Sequence, residues 1–406
     1  MIKNKQNIVF TQSKLDVLNK KRANLFNWRG QFTPEFVEYL LESFGEEDQT
    51  VLDPFSGSGT VLFEAAKKNM NAYGFEINPA AYAMSKFYSF CNQTLEERHN
   101  ILKSFETKFQ KKTEKLNNQD LFIQDSSYRV SYSNLIEFCK NLSFDLSQKP
   151  ERIILLNLLF LSEKHKKLKL KESLSKSYTY IKKAILSLPY SNKIIQSHLE
   201  DSRNTYNYLK DEVDLIITSP PYINVFNYHQ NYRAIIESFG FEILKVAHSE
   251  FGSNRKNRGN RFKTVIQYCL DMEEAIQSFW KSLKFQGKMI LVVGRESNVR
   301  KTPFYNGKIV IELIENLKGF EILQIEERTF SNKFGKVIKE DIIIACKNRK
   351  EITFSTNAKN IAKTHLQKAL IGSEGEIQQD IRNALIDIEK VIPSPLFNSS
   401  NVITKK

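Results

Sequence analysis

The chain has little of what staples or anchors a protein. Among its 406 residues are four cysteines, Cys91, Cys139, Cys269 and Cys346, placed singly with no Cys-x-x-Cys pair. That pattern argues against zinc ribbons and redox dithiols and for ordinary reduced, buried thiols. Long apolar runs are missing too. The densest, residues 153–161, is interrupted by Asn157 and falls far short of the roughly 20 residues a spanning helix needs. The first 26 residues are polar throughout, without the apolar core of a signal peptide. The expected setting is therefore cytoplasmic, with no membrane and no metal site. No 20–50-residue repeat and no phosphodiesterase motif is visible.

Charge is present, and it is uneven. Lys and Arg number 60 against 46 Asp and Glu, a net of +14. Residues 98–190 hold 18 basic against 9 acidic residues, net +9, and residues 250–263, EFGSNRKNRGNRFK, hold 5 against 1, net +4. A positive excess gathered into two segments points to a polyanionic partner. In the second segment Arg255, Lys256, Arg258 and Arg261 stand among Gly and Asn. Arginine and asparagine are the types that pair with purine edges, so these four are candidate DNA-binding residues. The run KHKKLKLK (164–171) suits either phosphate contact or a solvated helix face.

Hydrophobic patterning predicts an α/β fold. TVLDPF (50–55) reads as a strand, SGSGT as a glycine loop, VLFEAAKKN (61–69) as a helix and NAYGFEIN (71–78) as a second strand, which together make a βαβ unit. Pro79 opens the next helix. Further strands are expected at 193–203, 213–222, 287–294, 320–330 and 339–347, with helices at 272–287 and 308–319 closed by Gly287 and Gly319. Residues 92–189 lack strand signals and read as a helical, basic insertion between two parts of one catalytic domain, 1–91 and 190–350. Its apolar run 153–161 should pack it onto that domain. Residues 351–406 read as a polar, partly helical tail with a loose end at 393–406.

Two loops carry chemistry. In DPFSGSGT (53–60) a strand ends in Asp53-Pro54, and Gly57 and Gly59 open a turn into a helix. Glycine allows close approach of backbone to ligand, and the helix start offers N–H donors. No Gly-Lys-Ser/Thr follows, so this is not a P-loop. Glu76 ends the next strand, where an acid can accept both hydroxyls of a ribose; alternatively it is a charge at a helix start. The second loop ends the strand DLIIT in Ser219-Pro220-Pro221-Tyr222. One proline would stop a strand. Two lock a rigid hook with acceptor groups and an aromatic ring at the carboxyl end of a strand, where open α/β sheets bind ligands.

DPFSGSGT followed by TSPPY resembles the amino-methyltransferases of DNA, which move a methyl group from S-adenosylmethionine to N4 of cytosine or N6 of adenine. The likeness covers residues 24–91 and 190–347. It implies a doubly wound, mostly parallel seven-stranded sheet of the S-adenosylmethionine-dependent methyltransferase type, with a helical insertion and a helical or disordered C-terminal tail. Asp53, Pro54, Phe55, Ser56, Gly57, Ser58, Gly59, Thr60 and Glu76 match the family's cofactor segment. WRGQFTPEFVEYLL (28–41), with Phe32, resembles the segment that helps hold the methionine part. Asp201 resembles the acid that meets the adenine.

The hook then acquires a role. A nucleobase amine is a poor nucleophile because its lone pair is delocalised into the ring. The Ser219 hydroxyl and the Pro220 carbonyl are candidate acceptors that restore amine character, held rigid by Pro220 and Pro221 as preorganised catalysis requires. Tyr222 is placed to stack on a flipped base. The sequence argues against carbon-5 methylation, which needs a cysteine nucleophile, in the family pattern directly after a proline; none of the four cysteines follows one. Ser-Pro-Pro-Tyr is commoner among cytosine-N4 enzymes, which favours that base over adenine N6. Duplex DNA is the expected partner, with a separately encoded restriction endonuclease possible. An RNA amino-methyltransferase and an inactive DNA-binding relative are the alternatives; the first usually carries an RNA-binding module ahead of the cofactor loop, and only about 50 residues precede Asp53. Tyr228, His229, Tyr232 and Arg233 are candidates for the base pocket, His229 equally for a plain surface position.

Overall fold

The structure is a computed structural model that describes residues 9–120, 132–165, 168–223, 228–253, 257–331 and 335–399. Helices α1 (Gln12–Leu15) and α2 (Pro34–Phe44) precede β1 (Thr50–Asp53), α3 (Thr60–Lys67), β2 (Asn71–Phe75) and α4 (Pro79–Lys86). Four helices follow: α5 (Leu95–Asp120), α6 (Tyr132–Ser143), α7 (Lys149–Glu163) and α8 (Leu170–Ser187). The sheet resumes with β3 (Ile195–His198) and β4 (Val213–Thr218). Helices α9 (Arg233–Ser238), α10 (Ile243–Ser249) and α11 (Lys263–Ser282) lead to β5 (Leu283–Gly294) and the hairpin β6 (Ser297–Val299) and β7 (Thr302–Phe304). Then come α12 (Asn306–Leu317), β8 (Phe320–Ser331), β9 (Val337–Lys347), α13 (Ala358–Ile371) and α14 (Gly375–Ile386).

Seven strands form one sheet in the order β3-β2-β1-β4-β5-β9-β8. The first five run parallel, and β9 runs antiparallel to both β5 and β8. This is the doubly wound, mostly parallel sheet expected from the sequence. Chain order reverses at β1, which lies between β2 and β4, and such a switch point opens a crevice at the carboxyl ends of the strands. Both motif loops leave the sheet there, one from β1 and one from β4.

Alternate residues of the central strands feed two separate cores. Val51, Leu215, Ile217, Ile290, Val292, Ile342 and Ile344 face one side. Leu52, Ile216, Met289, Leu291, Val293, Ile343 and Ala345 face the other. A sheet buried on both faces needs continuous apolar runs rather than alternation, which is what LIIT, MILVV and IIIAC supply.

The insertion adds its own helices to the first core. The α7 residue Asn157 donates from Nδ2 to Ala83 O of α4 at 2.9 Å, and Phe160 packs on Tyr232 with ring centroids 4.7 Å apart. Its root is closed by one side chain. Arg98 is 2% exposed and donates to the carbonyls of Phe90, Cys91, Ile185, Leu188 and Pro189. The planar, five-donor guanidinium can tie entry and exit of the insertion together in this way; a lysine could not.

Three local expectations are corrected. The helix expected at 272–287 spans Lys263–Ser282, because Leu283 already pairs with Val213 of β4; Gly287 lies in an irregular stretch where the pairing jumps to Leu215–Lys288. The left-handed residue after α12 is Lys318, not Gly319; Gly319 is needed because a Cβ there would stand 2.5 Å from Trp280 Nε1, which donates to the Gly319 carbonyl at 3.0 Å. Residues 393–397 are not loose. Ser394 binds Asp271, and the Phe397 N–H donates to Asp201 Oδ2 at 2.9 Å.

Candidate active site

Strand β1 delivers Asp53 to the carboxyl edge of the sheet. The next residues fold back tightly: the Ser56 N–H donates to Phe75 O of β2 at 2.9 Å, and the Gly59 N–H to Ser56 O at 2.8 Å. Gly57 and Gly59 have φ of +49° and +86°. A Cβ on Gly59 would stand 2.8 Å from Ser85 Cα, so the turn lies flat on α4 and only glycine fits. Glu76, just past β2, braces the turn. Its Oε2 accepts from the Gly57 N–H at 3.0 Å and its Oε1 from the Asn78 N–H at 2.8 Å.

The second loop is tied to the first by one bond. Thr218, the last residue of β4, donates from Oγ1 to Asp53 Oδ1 at 2.6 Å. Beyond it, Ser219 and Pro221 face the same cleft as the glycine turn. The cleft encloses about 870 Å³, including space open to solvent.

Most of the expected cofactor residues line it: Phe32, Asp53, Pro54, Phe55, Ser56, Gly57, Thr60, Glu76 and Asp201. Ser58 and Gly59 do not. Ser58 turns away and donates to Gln31 Oε1 at 2.5 Å, so these two support the turn from behind. Asp201 reaches the wall with its carboxylate already engaged, by Arg203 and by the Phe397 N–H. Pro220 and Tyr222 lie outside the cleft lining. Arg258 and Arg261 are exposed and not part of the cleft; Arg255 and Lys256 lie outside the described residues, as do two residues of the 164–171 run.

Further groups complete the walls. Trp28 and Tyr228 stack at 6.1 Å and 15°. Phe251 meets Phe55 edge-on at 5.4 Å. Glu250 is buried, and its Oε2 lies 2.7 Å from His229 Nδ1, so His229 is a buried, paired residue and not a surface one. Tyr232 packs on the insertion, and Arg233 pairs with Glu237; neither is in the cleft. Glu250 and Phe251 escaped the sequence reading. The signal was available: Glu250 is the lone acid of a basic segment.

The electrostatics are distinctive. Asp53, Glu76, Glu200, Asp201 and Glu250 line the cleft against Arg29 alone. Burial pushes Asp53 up to about 7, against hydrogen bonds from Thr218 and Phe55. Burial likewise pushes Glu76 up to about 7, with the Asp53 and Glu250 charges adding to it. Two buried polar atoms on this wall, Ser56 Oγ and Glu250 Oε1, have no partner among the described residues. Buried polar atoms are rarely left so, and their arrangement in an acidic chamber suits a cation with hydroxyl or amine donors.

Fold and loops define an α/β methyltransferase-type domain with its binding crevice at the β1/β4 switch point. Residues 3–87 match a family model described as DNA methylase, of the N6 and N4 type. The type II methyltransferase M.BsoBI of Geobacillus stearothermophilus is 25% identical over 281 residues, 56% of this chain and 55% of that protein. The type II methyltransferase M.MjaII of Methanocaldococcus jannaschii is 21% identical over 412 residues, 73% of this chain and 77% of that one. The chain is therefore similar to DNA amino-methyltransferases in its first 87 residues and, more distantly, to type II methyltransferases over a larger part of its length. It spans about half the length of the first of these relatives. Among solved structures, TrmN from Thermus thermophilus aligns with a TM-score of 0.34 at 12% identity over 79% of this chain and 50% of that one, a likeness too slight to argue from.

Proposed function

We propose that the chain is a site-specific DNA methyltransferase acting on the exocyclic N4 amine of cytosine, with S-adenosylmethionine as methyl donor. One observation carries the reading: Ser219 and Pro221 of the hook and the Glu76-braced glycine turn open into a single cleft. Donor and acceptor can therefore meet without crossing solvent.

The lining fits this cofactor. S-adenosylmethionine carries positive charge at its sulfonium and ammonium groups, and the wall is acidic with unmet polar atoms. Bound there, it supplies an electrophilic methyl group. Glu76 takes the ribose hydroxyls, and Asp53, Phe32 and the glycine turn hold the methionine side. Phe55 and Phe251 supply apolar surface for the adenine. Because the Asp201 carboxylate is already occupied, its contribution is to fix the wall rather than to receive the base.

On the substrate side, Ser219 Oγ and the Pro220 carbonyl accept from the target amine and localise its lone pair. Two prolines keep these acceptors in place at no reorganisation cost. Positioning then governs a direct displacement, with no covalent enzyme intermediate. The target base reaches the cleft by flipping out of the duplex. To the exposed Arg258 and Arg261 and to the basic insertion, residues 92–189, we assign the phosphate and target-site contacts. No helix among the described residues is long and apolar enough to cross a membrane, and a cytoplasmic modification enzyme beside a separately encoded endonuclease is the cellular role we assign.

Nucleoside mass spectrometry on DNA incubated with the protein and S-adenosylmethionine tests this. N4-methylcytosine is expected. N6-methyladenine would overturn the choice of base and keep the mechanism; no methylated base on any DNA would overturn the function.

A further inference from the structure

The catalytic hook is held from a direction the sequence motifs do not reach. Tyr222 donates from its hydroxyl to Glu340 Oε1 at 3.2 Å, and the same hydroxyl lies 3.0 Å from Ser219 Oγ. Glu340 in turn takes Arg328 Nη1 on its other oxygen at 3.3 Å. Arg328 is buried between two rings, its guanidinium 4.0 Å from the Phe36 centroid and 4.7 Å from that of Phe330.

Register explains why these groups meet. Gly294 of β5 pairs with Glu340 of β9, and Glu340 pairs with Arg328 of β8. Directly opposed residues share a face of the sheet, so the three form one row across the antiparallel edge. At Gly294 the row has no side chain, and the Tyr222 ring fills that space. A Cβ there would stand 2.6 Å from Tyr222 Cε2.

The row sets the direction of the hydrogen bonds. Burial raises the Glu340 carboxyl, and the Arg328 guanidinium and the Tyr222 hydroxyl oppose that by favouring its ionised form; an ionised carboxylate only accepts, so Tyr222 gives its proton to Glu340. Its oxygen is then the acceptor for the Ser219 hydroxyl. With its own proton committed to Tyr222, Ser219 presents only lone pairs to the cleft. We propose that Glu340, anchored by Arg328, is a positioning residue that acts through Tyr222 to make Ser219 an obligate acceptor for the target amine. This rests on the function proposed above and adds to it a residue some 120 positions downstream of the hook. A Ser219 hydroxyl free to rotate would spend part of its time donating toward the amine, in the wrong sense for activating it.

The test is a double-mutant cycle on the full chain, with tritiated S-adenosylmethionine and unmethylated mixed-sequence genomic DNA. Tyr222→Phe keeps the ring and removes only the link; Glu340→Gln keeps the shape and removes the charge. Each single change should lower kcat about tenfold, the rate equivalent of one lost hydrogen bond, and leave cofactor Kd unchanged. In the Tyr222→Phe background, Glu340→Gln should cost nothing further. A Glu340 that merely supports the fold would lower kcat by the same factor in both backgrounds, and that additivity would overturn the inference. So would an unchanged kcat in either single variant while the parent chain is active. A parent chain that methylates no DNA overturns the functional reading and this inference together.

Discussion

Cofactor binding should release protons, and Glu76, the proposed acceptor of the ribose hydroxyls, is where the effect is best defined. Its carboxyl is pushed from 4.5 to about 7, chiefly by burial. A gap of that size corresponds to about 3 kcal/mol favouring the protonated form. The sign follows from linkage. Because the folded value is raised, the stability this group contributes is complete below about 4.5 and is lost as pH rises through about 7. The ligand-free protein should therefore lose thermal stability from this source between about pH 4.5 and 7. A cationic ligand whose hydroxyls donate to Glu76 needs the ionised form and draws the proton off. Its affinity should rise up to about tenfold per pH unit below 7 and level off above it, more steeply where Asp53 also ionises. Isothermal titration of S-adenosylmethionine from pH 5.5 to 8.5, in buffers of different ionisation enthalpy, reads both slope and proton count. Glu76→Gln should weaken binding at pH 8 and flatten the slope. A wild-type Kd that is the same at pH 5.5 and 8, with no proton released, would refute the reasoning.

Other consequences concern single positions. Gly59→Ala forces a side chain into left-handed backbone against Ser85 Cα and should cost about 3 kcal/mol of stability, measured by denaturant unfolding. Gly294→Ala meets the Tyr222 ring, so the chain should remain folded by circular dichroism while methylation falls more than cofactor affinity does. Arg203→Met removes the guanidinium that holds Asp201, Asp271 and the carbonyls of Ser394 and Pro395. It leaves two buried carboxylates without their cation, at about 3–5 kcal/mol; limited proteolysis should then cut near residue 394 in the variant before it does so in the parent chain.

Much of this protein is written locally. Apolar runs such as LIIT and IIIAC, short and rich in β-branched residues, read as buried strands, and Pro-Pro after one of them ends it. Glycine at 57 and 59 and the acid at 76 lie within one βαβ unit, close enough in sequence for their joint role to be read there. The resemblance of both loops to a known family was legible for the same reason. What the sequence could not show is what comes from pairing distant strands. Asp53 and Thr218 meet only because β1 and β4 are neighbours. Asp201 loses its freedom to a segment nearly 200 residues away. Glu250 and His229 become a buried pair on the cleft wall, and Glu340 and Arg328 become the support of the hook, through contacts that no spacing encodes. Local propensity decides which element a residue enters; the register between elements decides which side chains share a face, and in this chain that register, set by the cores on both faces of the sheet, completes the site.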